Sequence, residues 1–166
     1  MTSVSSTDSL QSSLGYRFKA LALLDEALTH SSLVNEQKTA LPQHNERLEF
    51  LGDAVLSLVM SEYLASALPQ SSEGTLSKLK AQVVSEASLA QVARRLGLGE
   101  HLKLGRGEER SKGREKDSLL ADALEAVLAA VHLDGGYEAS RTVTRHIFAE
   151  ELTHIAAQQE QPGAGD

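Results

Sequence analysis

The chain has no cysteine. That excludes disulfides, thiolate metal sites and a cysteine nucleophile, and it agrees with a reducing cytoplasm. Tryptophan is also absent and aromatics make up only 4% of the residues, so the core must be aliphatic, built from Leu, Val and Ala. Positive charge is in deficit: the formal net charge is −7. This argues against a general nucleic-acid coat protein, and an RNA or DNA ligand would have to meet a local basic patch or bound cations. The first residues, MTSVSSTDSLQSS, lack the positive start and apolar run of a secretory signal. No apolar stretch is read as long enough to span a bilayer, so no membrane partner is expected. What is present is ordinary for a globular protein: 166 residues, 41% of them hydrophobic, enough for one domain around one core.

Helical periodicity dominates. Helices are predicted at 8–14, closed by Gly15, at 20–30, from Asn45 to about Leu68, where Pro69 stops it, at 73–85, and at 86–96, closed by Gly97. Two more follow at 118–133 and from Tyr137 to about Ala157. Asp8, Asn45 and Asp117 stand as N-caps, whose side-chain oxygens accept first-turn N–H groups. Residues 31–44 and 99–116 read as polar or charged loops, and no strand is expected. The fold class is all-α, a bundle of roughly seven helices.

The most informative stretch is NERLEFLGDAVLSLVMSEYL, Asn45 to Leu64. Leu48, Leu51, Val55, Leu58 and Val59 recur at helical spacing, and the interior is apolar almost all round, the mark of a buried helix. Glu49 and Asp53 nevertheless sit in it four apart, with Glu46 one turn earlier and no Lys or Arg three or four residues from either. A second apolar helix, SLLADALEAVLAAVHL, carries Asp122 and Glu125 three apart, again without a neighbouring base. Carboxylates grouped in an apolar setting lose hydration at several kcal/mol per ion. If the two helices pack face to face, four carboxylates converge. Oxygen donors without imidazole or thiolate suit a hard divalent ion, Mg²⁺ or Mn²⁺. Such an ion points to phosphoryl chemistry with a bound water as nucleophile. Two other readings remain open here. Each carboxylate could pair with an arginine from a distant helix. A di-iron bundle would need two Glu-x-x-His elements, and only Glu151 to His154 has that form.

HNERLEFLGDAVL resembles the signature of the ribonuclease III family, endonucleases that cut double-stranded RNA. LGYRFKALALLDEALTHSS resembles that family's amino-terminal segment. SEGTLSKLKAQVVSEASLAQVARRLGLGEHLKLGRGEE resembles its middle, and DSLLADALEAVLAAVHLDGGYEAS its second acidic motif. The similarity runs from about Leu14 to Phe148. It implies an all-α endonuclease domain working as a homodimer. Glu49, Asp53, Asp122 and Glu125 match the family's metal-binding carboxylates, with Asp53 and Glu125 as the catalytic pair for turnover. Glu46 and Glu73 match supporting acidic residues, and Phe50 matches an aromatic that inserts into the partner subunit.

The implied reaction is Mg²⁺-dependent hydrolysis of phosphodiesters in each strand of an RNA duplex, with Mn²⁺ able to substitute. Products would carry 5′-phosphate and 3′-hydroxyl ends. Ribosomal RNA precursors and structured messenger regions are the implied substrates, cytoplasmic and without a small-molecule substrate. The alternative is a non-catalytic, ribosome-associated protein of the same fold, against which all four carboxylates speak. Lys78, Arg106, Lys112 and Arg114 are candidate RNA contacts, although the acidic residues of GRGEERSKGREK dilute that loop. His30 and His44 flank the loop before the signature and are read as structural. Residues 1–7 are expected to be disordered, 8–157 to form the catalytic domain, and 158–166 a linker-like tail. Relatives continue there into a double-stranded-RNA-binding domain, so a chain cut at the domain boundary is favoured over a naturally minimal enzyme. Without that domain, RNA affinity should be weak and salt-sensitive.

Overall fold

A computed structural model describes residues 7–37 and 44–159. Among these residues there are ten α-helices: α1 (Asp8–Leu14), α2 (Leu21–Leu28), α3 (Ser31–Gln37), α4 (Glu46–Ala67), α5 (Glu73–Val83), α6 (Glu86–Arg95), α7 (Arg106–Arg110), α8 (Asp117–Gly135), α9 (Tyr137–Ile147) and α10 (Ala149–Gln159). The only bridge between extended segments among them joins Thr29 to Lys103, so the all-α class holds.

α8 is the axis of the fold. Every residue from Ala123 to Val131 is buried, and α2, α4, α6 and α9 pack around it. Burying a Leu or Val side chain contributes about 1.5–3 kcal/mol, so this run of Leu124, Val127, Leu128 and Val131 holds much of the core. α4 is its main neighbour and buries Leu48, Gly52, Val55, Leu56, Val59, Met60 and Leu64. Gly52 is what lets the two backbones touch. A Cβ built there would lie 1.8 Å from the carbonyl oxygen of Glu125.

Several expectations need correction. Asn45 does not cap α4 with its side chain. Its Nδ2 donates to the Ala27 carbonyl at 3.1 Å and its N–H donates to Thr29 O at 2.9 Å, so it ties α4 to the end of α2 instead. Asp8 and Asp117 open their helices as first residues, and Thr7 and Lys116 take the cap positions. The 31–44 loop contains α3, with Pro42 lying outside the described residues. The 99–116 loop contains α7 and two turns of 3₁₀ helix, Leu98–His101 and Gly113–Glu115. The last helix is two, parted at Phe148, which is fully buried with φ −100° and ψ 13°. No Gly or Pro marks that break. Gly15 and Gly97 close α1 and α6 in the left-handed region, as expected. Thr7 is buried, and residues 1–6 and 160–166 lie outside the described part. By length and composition α4 does qualify as a candidate membrane span, against the sequence expectation. It carries Glu46, Glu49 and Asp53, and one side of it is packed on α8.

Candidate metal centre

The α4–α8 contact at Gly52 brings the two acidic pairs together. Glu49, Asp122 and Glu125 each offer a carboxylate oxygen, and those atoms all lie within 4.8 Å of one another. Asp53, the fourth expected ligand, stands outside that triad on the exposed rim, its carboxyl in hydrogen-bonding contact with that of Glu125. Glu49 and Asp122 stand in the same relation.

The electrostatics follow from burial and crowding. Glu125 is 9% exposed. Burial first, then Asp53, Glu49 and Asp122, push its carboxyl up to about 8. Burial and the charges of Asp122, Glu46 and Asp53 push Glu49 up to about 7. Asp122 is also raised, chiefly by burial, while its bond with Glu49 and the nearby imidazole of His30 pull the other way. No arginine or lysine is among the groups acting on these three carboxyls. The distant arginines are engaged elsewhere: Arg94 with Asp117, Arg95 with Glu150 and Glu151, Arg114 with Glu109. The ion-pair alternative therefore finds no partner among the described residues. The di-iron alternative fails too, because Glu151 is held by Arg95 at 2.8 Å on α10.

An array of carboxylates that repel one another without an arginine or lysine among them is what a hard divalent ion relieves, and the all-oxygen donor set fits Mg²⁺ or Mn²⁺. A family model described as Ribonuclease-III-like matches residues 21–152. This chain belongs to the ribonuclease III-like family. It is 53% identical over 146 residues to a Ribonuclease 3 of Caldanaerobacter subterraneus, covering 88% of this chain and 64% of that protein. It is 55% identical over 141 residues to the Ribonuclease 3 of Heliobacterium modesticaldum, covering 85% and 60%. The chain thus spans about three-fifths of the length of these curated relatives. The nuclease domain of ribonuclease III from Campylobacter jejuni superposes with a TM-score of 0.81 at 43% identity, over 89% of this chain and 99% of that one. That structure is described as flexible in the region involved in its dimer formation.

Of the other expected positions, only Glu46 acts on this centre. Glu46 is exposed one turn before Glu49, outside the triad, and adds its field to Glu49 and Asp122. Glu73 opens α5 and accepts the Ser77 hydroxyl at 2.8 Å, also outside the triad. Phe50 is 83% exposed, on the rim of a depression shared with Glu26, Arg47, Leu48, Leu51 and Leu133. Leu58, expected inside, is 51% exposed further along the same helix.

The basic loop is largely self-neutralised. Arg114 pairs with Glu109 and donates to the carbonyls of Gly99 and Leu102, both at 2.8 Å. Lys116 holds Glu108 at 2.8 Å, and Arg106 lies 3.7 Å from Glu36. Lys78 and Lys112 are exposed and hold no carboxylate among the described residues. Sequence reasoning missed Gly52. A glycine inside a helix costs about 1 kcal/mol against alanine, so one in the middle of an otherwise apolar helix is itself a sign of close backbone approach.

Proposed function

We propose that the chain is the endonuclease part of a ribonuclease III, hydrolysing phosphodiesters in double-stranded RNA with Mg²⁺, for which Mn²⁺ substitutes. The observation that carries this is the cluster of carboxylates at the α4–α8 contact, with no arginine or lysine among the described residues to balance it, in a chain of this family. Glu49, Asp122 and Glu125 would hold the ion. When bound, the ion supplies Lewis-acid polarisation of the phosphate and a more acidic water. Asp53, exposed beside Glu125, would accept the proton of the attacking water. Glu46 supports the site from outside the triad by adding negative charge, whereas Glu73, on α5, exerts no such influence within one protomer. The bond broken is that to the 3′ oxygen, leaving 5′-phosphate and 3′-hydroxyl ends with a short 3′ overhang.

Two sites are needed for two strands, and the exposed Phe50 supports a homodimer in which each ring enters the partner's depression. Duplex RNA offers phosphates and 2′-hydroxyls rather than readable base edges, so recognition is by shape. Of the candidate cations, Lys78 and Lys112 are the ones free to reach phosphates, while Arg106 and Arg114 serve the loop first. Ribosomal RNA precursors and structured messenger regions in the bacterial cytoplasm are the substrates this reading assigns.

Incubation of the protein with long duplex RNA and Mg²⁺ tests it. Cleavage to short duplexes with 5′-phosphate ends is expected. Glu125→Gln, which keeps the shape but removes an ionised ligand, should slow cutting roughly a hundredfold or more while leaving RNA binding largely intact. Absence of cleavage at low salt and high enzyme would overturn the nuclease reading, and near wild-type cutting by the variant would overturn the role of Glu125.

A further inference from the structure

α4 carries an exposed stripe that the rest of the fold leaves uncovered. Arg47, Phe50, Ala54 and Leu58 follow one another at helical spacing, all exposed. Phe50 borders a depression whose walls are Glu26, Glu46, Arg47, Leu48, Leu51 and Leu133. Leu133 is 54% exposed, so the depression and the stripe form one apolar surface edged by charge. Two of those edge charges are idle. Arg94, Arg95, Arg106 and Arg114 each hold a carboxylate, whereas Arg47 holds none among the described residues. Glu26 is half-buried and has no cation among the described residues either, and the two do not pair with each other although both line the same depression.

We propose that Arg47 pairs with Glu26 of the partner subunit, so that a reciprocal ion pair sets the register of the dimer on either side of the Phe50 contact. The proposal rests on the homodimer reading above. In a two-fold contact residue i meets residue j and j meets i, so a surface must complement itself. When Phe50 of one protomer enters the depression of its partner, Arg47, one turn earlier on the same stripe, is carried to that depression's rim. The unpaired acid there is Glu26 of the partner subunit. Glu46 is the other acid on the rim, but it lies 3.9 Å from the His44 imidazole and beside Glu49, where its charge serves the metal centre. Two-fold symmetry makes the pair twice, and the apolar surroundings keep water and salt from screening it fully.

The test is charge reversal in the full chain, read by sedimentation and native mass spectrometry. Arg47→Glu and Glu26→Arg should each weaken homodimerisation roughly tenfold or more, since each creates two like-charge contacts. An equimolar mixture of the two variants should recover dimer, and the species should be the heterodimer, because both cross-subunit pairs then have opposite sign. The weakening should shrink as salt is raised. Circular dichroism melts establish that the variants are folded. If either reversal unfolds, the Arg47→Ala and Glu26→Ala double-mutant cycle gives the coupling instead, and additivity there overturns the pair. Single reversals that dimerise like the wild type overturn the pair and leave the dimer standing, as does a mixture that gives no heterodimer. A wild type that stays monomeric at all concentrations overturns the dimer reading, and the pair with it.

Discussion

Replacing Gly52 with alanine should damage the metal centre more than any change of its size elsewhere in α4. In an ordinary exposed helix this substitution stabilises by about 1 kcal/mol. Here the new methyl would lie 1.8 Å from the Glu125 carbonyl oxygen and 2.5 Å from its carbon. Ordinary contact is about 3.4 Å or more, so α4 and α8 must part by roughly 1.5 Å. Both contacts are backbone, so no side-chain rotation relieves them. Overpacking costs typically 1–3 kcal/mol, and separating the helices also loosens the packing around Leu56 and Leu124. A net loss of about 2 kcal/mol is expected, seen as a lower melting temperature. The functional loss should be larger in proportion, because the carboxylates of α4 and α8 separate with their helices. Displacement of about 1 Å in such a site costs on the order of a hundredfold in rate. The assays are a thermal melt, Mn²⁺ titration and cleavage of duplex RNA. A variant that melts higher than wild type and cuts at the same rate would refute the claim that this backbone contact assembles the site.

Two further outcomes follow from the charges. Without metal, stability should fall as pH rises between about 5 and 8. Glu125 binds its proton up to about 8 in the folded chain but only to about 4.5 when unfolded, so its contribution is full below the lower value and gone above the higher one. At about 1.4 kcal/mol per tenfold in proton affinity the ceiling is roughly 5 kcal/mol, and with the exposed rim at Asp53 a fall of about 2 kcal/mol is expected. Mg²⁺ should raise the melting temperature most at the alkaline end, and a metal-free melting temperature flat or rising over this range would contradict the cluster's electrostatics. Asp134→Ala should release the segment before α2, because that carboxylate accepts from Tyr16 Oη at 2.6 Å and from the N–H groups of Lys19 and Ala20 at 2.9 Å. A loss of about 2 kcal/mol is expected, with the Tyr16 phenol, now pushed up to about 12 by burial and by Asp134, titrating at lower pH; an unchanged tyrosine titration would disprove the latch.

The acidic pairs were legible because charge inside an apolar helical repeat is conspicuous whatever the partner, and the closing glycines at 15 and 97 because a left-handed residue leaves few options. The contacts that join distant parts of the chain were not. Gly52 inside an apolar helix signals a close backbone approach, but nothing local says that Glu125 is what it meets, or tells Asn45 to bond Ala27 rather than cap its own helix. The basic loop read as a possible RNA surface because sequence does not pair its charges; the fold does, Arg114 with Glu109 and Lys116 with Glu108 inside the loop and Arg106 with Glu36 on α3. Leu58 and Phe50 fit the apolar pattern of α4, and pattern alone does not separate a core from a surface awaiting a second copy. The break at Phe148 has no turn residue to announce it.

Manganese located by its anomalous scattering in crystals soaked with Mn²⁺ tests the central claim most directly. The account predicts a peak bounded by the oxygens of Glu49, Asp122 and Glu125, lost in Glu125→Gln. Manganese bound elsewhere on the chain with none between these three carboxylates would contradict it.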